Sequence, residues 1–381
     1  MMHIGKNVLR AGESERFRYT MANISEGMVR LDQGSPSFIT PAHICKAADE
    51  ALAQGLTRYA PKRGDPEFLS GVCEKIERET GAAYSPDEIL ATHGATSALY
   101  AVFTTLLNPG DEVILPDPTY SLYEPVVMQL GAKPVRVPLS GDWHLDTDAI
   151  QATIRPQTRM VMLCNPNNPT GTVFHRAELE ALASLCADRN LFLVSDEAYE
   201  KILQPGYKHV PLLSLQKYRD QLVLIGTMSK TYAMTGWRLG YIAAPKDLSL
   251  ILLGVHHSIT GAICTFVQRA GAVALRGPQD CVAAMRTEYH KRGSLMHRLA
   301  KDIPGLIPNE PQGAFYLFCR YEFPMSSAEL NRRLWEAGVA AHSGSAFGPS
   351  GEGHLRFSYA VDESTIEKGM GIVRKVFHKL V

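Results

Sequence analysis

Residues 222–243 read LVLIGTMSKTYAMTGWRLGYIA, and this stretch decides the fold. Two short apolar runs, at 222–226 and 239–243, stand on either side of a polar segment. Runs of this length that alternate with helices are typical of strands buried on both faces of a parallel sheet. Lys230 lies shortly after the first run, beyond residues 227–229, and burial lowers the pKa of an amine toward nucleophilic use. The stretch therefore predicts a buried strand that leads into a reactive lysine.

The same alternation extends over most of the chain. Right-handed crossovers between parallel strands place helices on both faces of the sheet. The pattern therefore predicts an α/β fold with a mainly parallel sheet sandwiched by helices. The remaining predicted strands are 88–92, 112–116, 133–137, 159–164 and 191–195, and the amphipathic helical stretches are 41–54, 66–80, 97–107 and 176–189.

The regular alternation of apolar runs and helical stretches ends near residue 278. A long helical stretch over 278–302 leads into three prolines, followed by short strand-like and helical segments at 314–319, 327–337, 353–358 and 363–379. We interpret this part as a smaller α+β domain. The expected division is an N-terminal arm with part of the small domain at 1–45, a large cofactor-binding domain at 46–285, and the small C-terminal domain at 286–381.

Composition excludes several classes of protein. The 381 residues include 39 Lys+Arg and 39 Asp+Glu, so the chain lacks the basic excess typical of nucleic-acid binders. The apolar share of 45% excludes a disordered chain. The sequence has no apolar run of roughly 18 residues that would span a bilayer, and no signal core at its start. The seven cysteines are scattered and form no CxxC pair, which is typical of reduced thiols. We expect a cytoplasmic protein.

Ligands of open parallel sheets bind at the carboxyl ends of the strands, so the residues that follow each run deserve inspection. The segment 93–97 is a glycine turn that enters a helix, where free N–H groups suit a phosphate. Taken alone, the segment is better explained as a plain helix start capped by Thr96 or Ser97. The segment 165–171 holds three Asn and two Pro, which gives either rigid amide donors or an ordinary turn.

Two further strand ends carry candidate groups. Asp196 follows an apolar run, and a buried carboxylate needs a partner such as a cationic ring nitrogen or a structural arginine. Tyr120 follows another run and suits either stacking on a flat ring or a place in the core. The sequence contains no GxGxxG, no phosphate loop with Gly before Lys, no GxSxG and no histidine spacing typical of a metal site, so we expect no metal.

Taken in order, these elements resemble the class I/II aminotransferases of the aspartate and aromatic type, which are fold-type-I enzymes that use pyridoxal 5′-phosphate. The resemblance runs from about residue 30 to the end of the chain. It implies transfer of an amino group from an L-amino acid to a 2-oxo acid by a ping-pong mechanism. The matching positions are Gly34, Tyr59, 94–96, Tyr120, 165–171, Asp196, Tyr199, Ser229, Lys230, Arg238 and Arg356.

The resemblance also implies roles around the cofactor ring. Lys230 forms the Schiff base with the cofactor aldehyde and then moves the proton. Asp196 pairs with the pyridine nitrogen and keeps the ring an electron sink. Tyr199 and Asn168 hydrogen-bond the ring oxygen O3′, and Tyr120 stacks on the ring face.

Further implied roles concern the phosphate and the substrate. Ala95, Thr96, Ser229 and Arg238 contact the phosphate. Tyr59 reaches the phosphate of the other subunit, which implies a homodimer. The substrate α-carboxylate binds Arg356 bidentately, and Gly34 and Asn168 complete that site.

Some positions depart from the family pattern. Thr227 stands where Gly or Ser is usual, and Thr96 stands where some aspartate-specific relatives have a lysine that reads the distal carboxylate. Ser343, preceded by His342, replaces a usual proline, and the pattern assigns neither a role. Arg16, Arg18 or Tyr19 in the arm either read a substrate side chain or are exposed.

Three other functions are compared with this interpretation, and the sequence argues against two of them. A β-lyase that cleaves C–S bonds uses the same lysine and aspartate, so motifs do not separate it from a transaminase. A non-catalytic ligand sensor on this fold usually carries an added DNA-binding domain, for which the chain has no room. An NAD-dependent enzyme would need the glycine fingerprint that is missing here.

Overall fold

The computed structural model describes residues 5–12 and 27–380. Arg16, Arg18 and Tyr19 lie outside the described residues. In chain order the strands are β1 (Val29–Arg30), β2 (Ile89–Thr92), β3 (Glu112–Asp117), β4 (Lys133–Pro138), β5 (Thr158–Cys164), β6 (Phe192–Asp196), β7 (Leu222–Thr227), β8 (Gly240–Ala243), β9 (Leu306–Pro308), β10 (Tyr316–Tyr321), β11 (Val339–Ala340), β12 (His342–Ser343) and β13 (His354–Ser358).

Helices connect and cover these strands. In chain order they are α1 (Lys6–Ala11), α2 (Ala42–Ala53), α3 (Pro66–Thr80), α4 (Gly94–Leu106), α5 (Tyr123–Gln129), α6 (Thr147–Thr153), α7 (Arg176–Asp188), α8 (Lys246–Thr260), α9 (Thr265–Arg276), α10 (Asp280–Lys301), α11 (Ser327–Glu336) and α12 (Glu363–Phe377).

The larger sheet has seven strands in the order β2-β8-β7-β6-β5-β3-β4. All neighbours are parallel except β8, which runs antiparallel to both β2 and β7. Strand β7 is buried along its whole length and β6 at every residue except Phe192, as their continuous apolar runs predict. The predicted α/β fold with a mainly parallel sheet is therefore confirmed.

Side chains of this sheet alternate between two cores. In β5, Met160 and Met162 pack on one face, whereas Val161 and Leu163 pack on the other. The first of these cores continues without a break into the second sheet, where it includes Phe357. This continuity fixes the position of the second sheet relative to the first.

The second sheet has four strands in the order β12-β13-β10-β9, with β13 antiparallel to both β12 and β10. Beside it, β1 pairs in parallel with β11, with Val29 opposite Val339. The N-terminal segment therefore contributes to this part of the molecule, next to the C-terminal strands. The segment from β1 to residue 34 then leads toward the edge of the larger sheet.

Several local features differ from the sequence-based expectations. Helices α8 and α9 are absent from the prediction, and Lys6–Ala11 forms a helix within the expected N-terminal arm. Helix α4 begins at Gly94, three residues before the predicted start. Asp196 is the last residue of β6 rather than the first residue after it. Among the described residues, no helix combines the length and apolar character needed to cross a membrane.

One glycine in the larger sheet allows two strands to pack closely. Gly226 of β7 lies opposite Tyr241 of β8, and a Cβ at Gly226 would stand 2.2 Å from Cζ of that ring. We expect Gly226→Ala to destabilise the protein by about 1–3 kcal/mol, because overpacking a buried site forces side chains and backbone to shift. The measurement is the thermal unfolding midpoint.

The control is Gly371→Ala on the exposed face of α12, where an added Cβ meets nothing within 4 Å. This change should raise the midpoint slightly, because alanine favours a helix over glycine by about 1 kcal/mol. Equal midpoints for the two variants would contradict the close packing of β7 and β8.

Candidate active site

A cavity of about 430 Å³ lies at the carboxyl edge of the parallel strands, between the two sheets. Residues from β6, from the segments after β5 and β7, from the start of α4 and from β10 and β13 line it. Of the twelve predicted site residues, the following eleven line this cavity: Gly34, Ala95, Thr96, Tyr120, Asn168, Asp196, Tyr199, Ser229, Lys230, Arg238 and Arg356.

Lys230 projects into the cavity from the segment after β7. Its Nζ donates a hydrogen bond to the backbone carbonyl of Gly34. Burial lowers the pKa of Lys230 to about 8, Asp196 opposes this by attraction, and the positive charges of Arg238 and Arg356 lower it further. At neutral pH a larger fraction of this amine is therefore unprotonated than of an ordinary lysine.

Asp196 ends β6 with its carboxylate buried. It accepts hydrogen bonds from the hydroxyl of Tyr123 and from the backbone N–H of Ala198, each at 3.1 Å. Burial raises the pKa of Asp196 to about 6, although these hydrogen bonds and the charge of Lys230 pull it down. The site thus holds a carboxylate whose charge is costly without a cationic partner.

The N-terminus of α4 opens toward the same cavity. The N-cap residue, His93, makes no side-chain hydrogen bond to the first turn, and Ala95 and Thr96 line the cavity. The expected cap by Thr96 or Ser97 is not formed, and Ser97 Oγ instead bonds the carbonyl of Gly94 at 3.2 Å. This turn has the geometry of an anion site.

Arg238 and Ser229 flank that helix start. Gly94 has φ of +73°, and a Cβ there would stand 2.8 Å from Nη2 of Arg238, so glycine permits the close approach of the guanidinium. Arg238 itself adopts the left-handed conformation at φ +54° and bonds the carbonyl of Thr235 at 2.8 Å. The hydroxyl of Thr227 lies 2.9 Å from Ser229 Oγ and fixes that side chain.

Arg356 lies on β13 with its side chain buried. Its Nη1 donates to Oδ1 of Asn168 at 2.9 Å, and its Nη2 donates to the carbonyl of Asp32 at 2.7 Å. The guanidinium carbon stands 4.1 Å above the centroid of the Tyr316 ring and 4.8 Å from that of Phe347. Arginine held in this way presents a fixed cation to the cavity.

Tyrosines form the remaining walls. Tyr120 meets Tyr123 edge to face, with ring centroids 5.4 Å apart. The hydroxyls of Tyr199 and Tyr316 lie 2.9 Å apart and share a hydrogen bond. Burial raises the pKa of Tyr199 well above its usual value, which keeps this hydroxyl a neutral donor.

Sequence reasoning missed several residues of the site, among them Arg30, Asp32, Tyr123 and Tyr316. Arg30 donates to both carboxylate oxygens of Asp32, at 2.6 and 2.8 Å. Tyr123 lies only three positions after Tyr120, and that proximity is the one signal for it. The others reach the cavity because strands that are distant in sequence pair with each other, and no local pattern marks this. His342 also lines the cavity, whereas Ser343 is buried beside it.

Tyr59 does not line the cavity. It is 95% exposed, and its backbone forms an isolated bridge with Cys264. A tyrosine so exposed contributes nothing to the cavity of its own chain.

Comparison with known proteins identifies the family. The family of class I and II aminotransferases matches residues 20–373. An aspartate aminotransferase of Pyrococcus horikoshii is 35% identical over 379 residues, covering 98% of this chain and 96% of the relative. Aromatic-amino-acid aminotransferase 2 of Thermococcus litoralis is 36% identical over 367 residues, 94% of each chain. The structure of Thermus thermophilus aspartate aminotransferase with maleate matches with a TM-score of 0.88 at 32% identity, covering 99% of this chain and 100% of that one.

The chain belongs to the class I and II aminotransferase family. It is a fold-type-I transaminase that uses pyridoxal 5′-phosphate to move an amino group from an L-amino acid to a 2-oxo acid. The predicted enzyme class and cofactor are thereby confirmed. The relatives give no support to the β-lyase alternative.

The lowered pKa of Lys230 has a measurable consequence. In the protein freed of cofactor, acetylation of Lys230 by acetic anhydride should increase with pH with a midpoint near the pKa of about 8, because only the unprotonated amine reacts. In Asp196→Asn the midpoint should move lower, since the aspartate charge raises the pKa of this amine. Peptide mass spectrometry measures both midpoints. A midpoint near the ordinary lysine value of about 10.4 would contradict the burial argument.

Proposed function

We infer that Lys230 is the residue that links covalently, as a Schiff base, to the cofactor aldehyde and then carries the proton at the substrate carbon. The observation that carries this proposal is the meeting of Lys230, Asp196 and Arg356 in one cavity. An amine with a pKa of about 8 attacks a carbonyl readily near neutral pH. When bound, the cofactor ring supplies an electron sink for the bond that breaks at that carbon.

The cavity fits the chemical groups of this cofactor. Asp196 offers a buried carboxylate that a protonated ring nitrogen would neutralise, and this partner removes the cost of burying its charge. Tyr199 and Asn168 offer a hydroxyl and an amide for the ring oxygen, and Tyr120 offers a ring face. In this proposal Asp196 and Tyr199 act in catalysis together with Lys230.

The opposite end of the cavity fits a phosphate dianion. Ala95 and Thr96 provide backbone N–H groups at the helix start, Ser229 adds a hydroxyl, and Arg238 adds a cation. Each of these donors is fixed by local geometry, so binding a phosphate orders little additional chain. We assign these four residues to the phosphate site.

Arg356 is the proposed site of the substrate α-carboxylate, with Gly34 and Asn168 beside it. Arg356 belongs to the four-stranded sheet, whereas Lys230 follows a strand of the larger sheet. This placement supports a large and a small domain, for which we propose the divisions 1–45, 46–285 and 286–381, with the first part shared. Movement of the small domain onto a bound carboxylate would exclude water and align the reacting bond.

A homodimer is the proposed assembly. Tyr59 is 95% exposed and Ile39 is 89% exposed, and Leu250, Ile251 and Ile259 expose more apolar surface on α8. Exposed apolar groups of this kind are typical of an interface between subunits. In this assembly Tyr59 would reach the phosphate of the partner subunit. The seven cysteines, all of which the structure describes, are free thiols, which supports a cytoplasmic location.

The amino acids to test first are aspartate and the aromatic amino acids, which the names of the relatives specify. Each is added singly to the holoenzyme without an oxo acid while the visible absorbance is recorded. Loss of the yellow band with one amino acid supports it as the donor. A persistent band with pyruvate and ammonia released would instead support β-lyase chemistry.

Lys230→Ala should abolish the link that borohydride reduces between protein and cofactor, because no other amine takes the place of Lys230 in the cavity wall described here. The measurement is the mass of the reduced protein and of its peptides. Lys368→Ala, an exposed lysine of α12, is the control and should keep the full adduct. An adduct of normal yield in Lys230→Ala would assign the link to another lysine.

Arg356→Lys should raise the KM for every amino acid substrate, because a lysine loses the bidentate contact with the carboxylate. Loss of one charged hydrogen bond predicts a decrease in kcat/KM of about tenfold or more. Arg320→Lys, an exposed position of the neighbouring strand β10, is the matched control and should leave kinetics unchanged. A change confined to one substrate would instead indicate that Arg356 reads a side chain.

A further inference from the structure

Tyr316 lies between the part of the proposed site assigned to the substrate carboxylate and the part assigned to the cofactor ring. Its hydroxyl lies 2.9 Å from the hydroxyl of Tyr199, and its ring lies beneath the guanidinium of Arg356 at 4.1 Å. The side chain is almost fully buried and lines the cavity. One residue therefore contacts both the group assigned to the substrate carboxylate and a group assigned to the cofactor ring.

The position of Tyr316 is fixed by its surroundings. A Cβ at Gly34 would stand 2.6 Å from the Tyr316 hydroxyl, so the glycine makes room for this oxygen. The rings of Tyr199 and Tyr316 meet edge to face with centroids 5.6 Å apart, and Phe315 packs edge to face against Tyr316 at 5.0 Å. Because the Tyr316 side chain is packed on several sides, it does not move readily. Its hydrogen bond with Tyr199 therefore changes through the position of the shared proton and the strength of the donor.

Because the ring of Tyr316 stacks on the guanidinium of Arg356, the strength of the Tyr316 hydroxyl as a hydrogen-bond donor depends on the charge of that group. A cation over an aromatic face draws electron density from the ring, and this makes the phenol a stronger hydrogen-bond donor. Two hydroxyls at 2.9 Å share one proton, so when Tyr316 donates to Tyr199, the proton of Tyr199 is directed to another acceptor. Tyr199 lines the cavity, where that acceptor would be the cofactor ring oxygen.

We propose that Tyr316 is a positioning residue that transmits the binding of a carboxylate at Arg356 to the hydroxyl of Tyr199 and hence to the cofactor. This inference rests on the proposed roles of Arg356, Tyr199 and Lys230. A bound carboxylate compensates the charge of Arg356, which weakens Tyr316 as a donor. Tyr199 then donates less strongly into the cavity, and the nitrogen of Lys230 holds its proton more tightly.

Asn168 provides a second route between the same two regions. Its Oδ1 accepts from Arg356 at 2.9 Å, and its side chain lines the cavity. Removing the Tyr316 hydroxyl should therefore reduce the response to a carboxylate without eliminating it.

The test uses the holoenzyme and records its visible absorbance against pH, with and without saturating maleate. A second probe, 3-phenylpropionate, is used in parallel. We expect the carboxylate to raise the titration midpoint of the wild type. In Tyr316→Phe that rise should be smaller by about half a pH unit, the equivalent of one ordinary hydrogen bond. An unchanged rise in Tyr316→Phe overturns the proposal.

The matched control is Tyr289→Phe. Tyr289 packs against Phe315, next to Tyr316, and its buried hydroxyl has no hydrogen-bond partner among residues 5–12 and 27–380. This variant should keep the response of the wild type. A reduced response in Tyr289→Phe equal to that in Tyr316→Phe would assign the effect to general loosening of the aromatic cluster and overturn the proposal.

A double variant separates transmission through Tyr199 from other effects. In a Tyr199→Phe background, adding Tyr316→Phe should cause little further change in the response, because the receiving hydroxyl is already absent. A full additional effect overturns the proposal. If the wild type binds cofactor but neither probe shifts its titration, the role of Arg356 in the proposed function fails. If the wild type shows no titrating band, the role of Lys230 fails.

Discussion

Two opposite charges are brought together at the ends of neighbouring parallel strands, and the rest of the site depends on them. Asp196 ends β6, and Lys230 lies three residues beyond β7. Taking such groups out of water costs several kcal/mol each. The protein offsets part of this cost with Tyr123 and the backbone of Ala198 around the carboxylate, and with the carbonyl of Gly34 at the amine. The remaining cost is what a cationic ring nitrogen and a reactive carbonyl would relieve on binding.

The second sheet completes this arrangement because it shares a core with the first. Phe357 of β13 belongs to the same apolar core as Met160 of β5, so the strand that carries Arg356 is anchored against the strands that position the reacting pair. The segment after β1 adds a direct connection. The carbonyl of Asp32 holds Arg356, and two residues later the carbonyl of Gly34 holds Lys230. The distance between the two cations is thus set partly by three consecutive residues.

The sequence predicts the central strands β6 and β7 well because each is an apolar run that ends in a polar residue, Asp196 and Thr227. The prediction omitted α9 although its buried residues Val267, Ala270 and Ala274 recur at helical spacing. The sequence also does not indicate that β8 is antiparallel to its neighbours, because an apolar run has the same composition in either orientation. Most of the predicted site residues were found because they directly follow strands or begin a helix. Asp32 escaped because its place depends on the pairing of β1 with the distant β11, and Tyr316 escaped because its place depends on the pairing of β10 with β13.

The reversed direction of β8 has a consequence for how the site is encoded. Because β7 and β8 are antiparallel neighbours, the chain leaves the sheet edge after Thr227 and returns to the same edge at Gly240. Lys230, Ser229 and Arg238 therefore lie within one uninterrupted peptide of about a dozen residues, tied at both ends to a buried ladder. An insertion or deletion inside this loop would displace Ser229, Lys230 and Arg238 relative to one another, whereas the walls of the cavity formed by Tyr316 and Arg356 are encoded far away in the sequence.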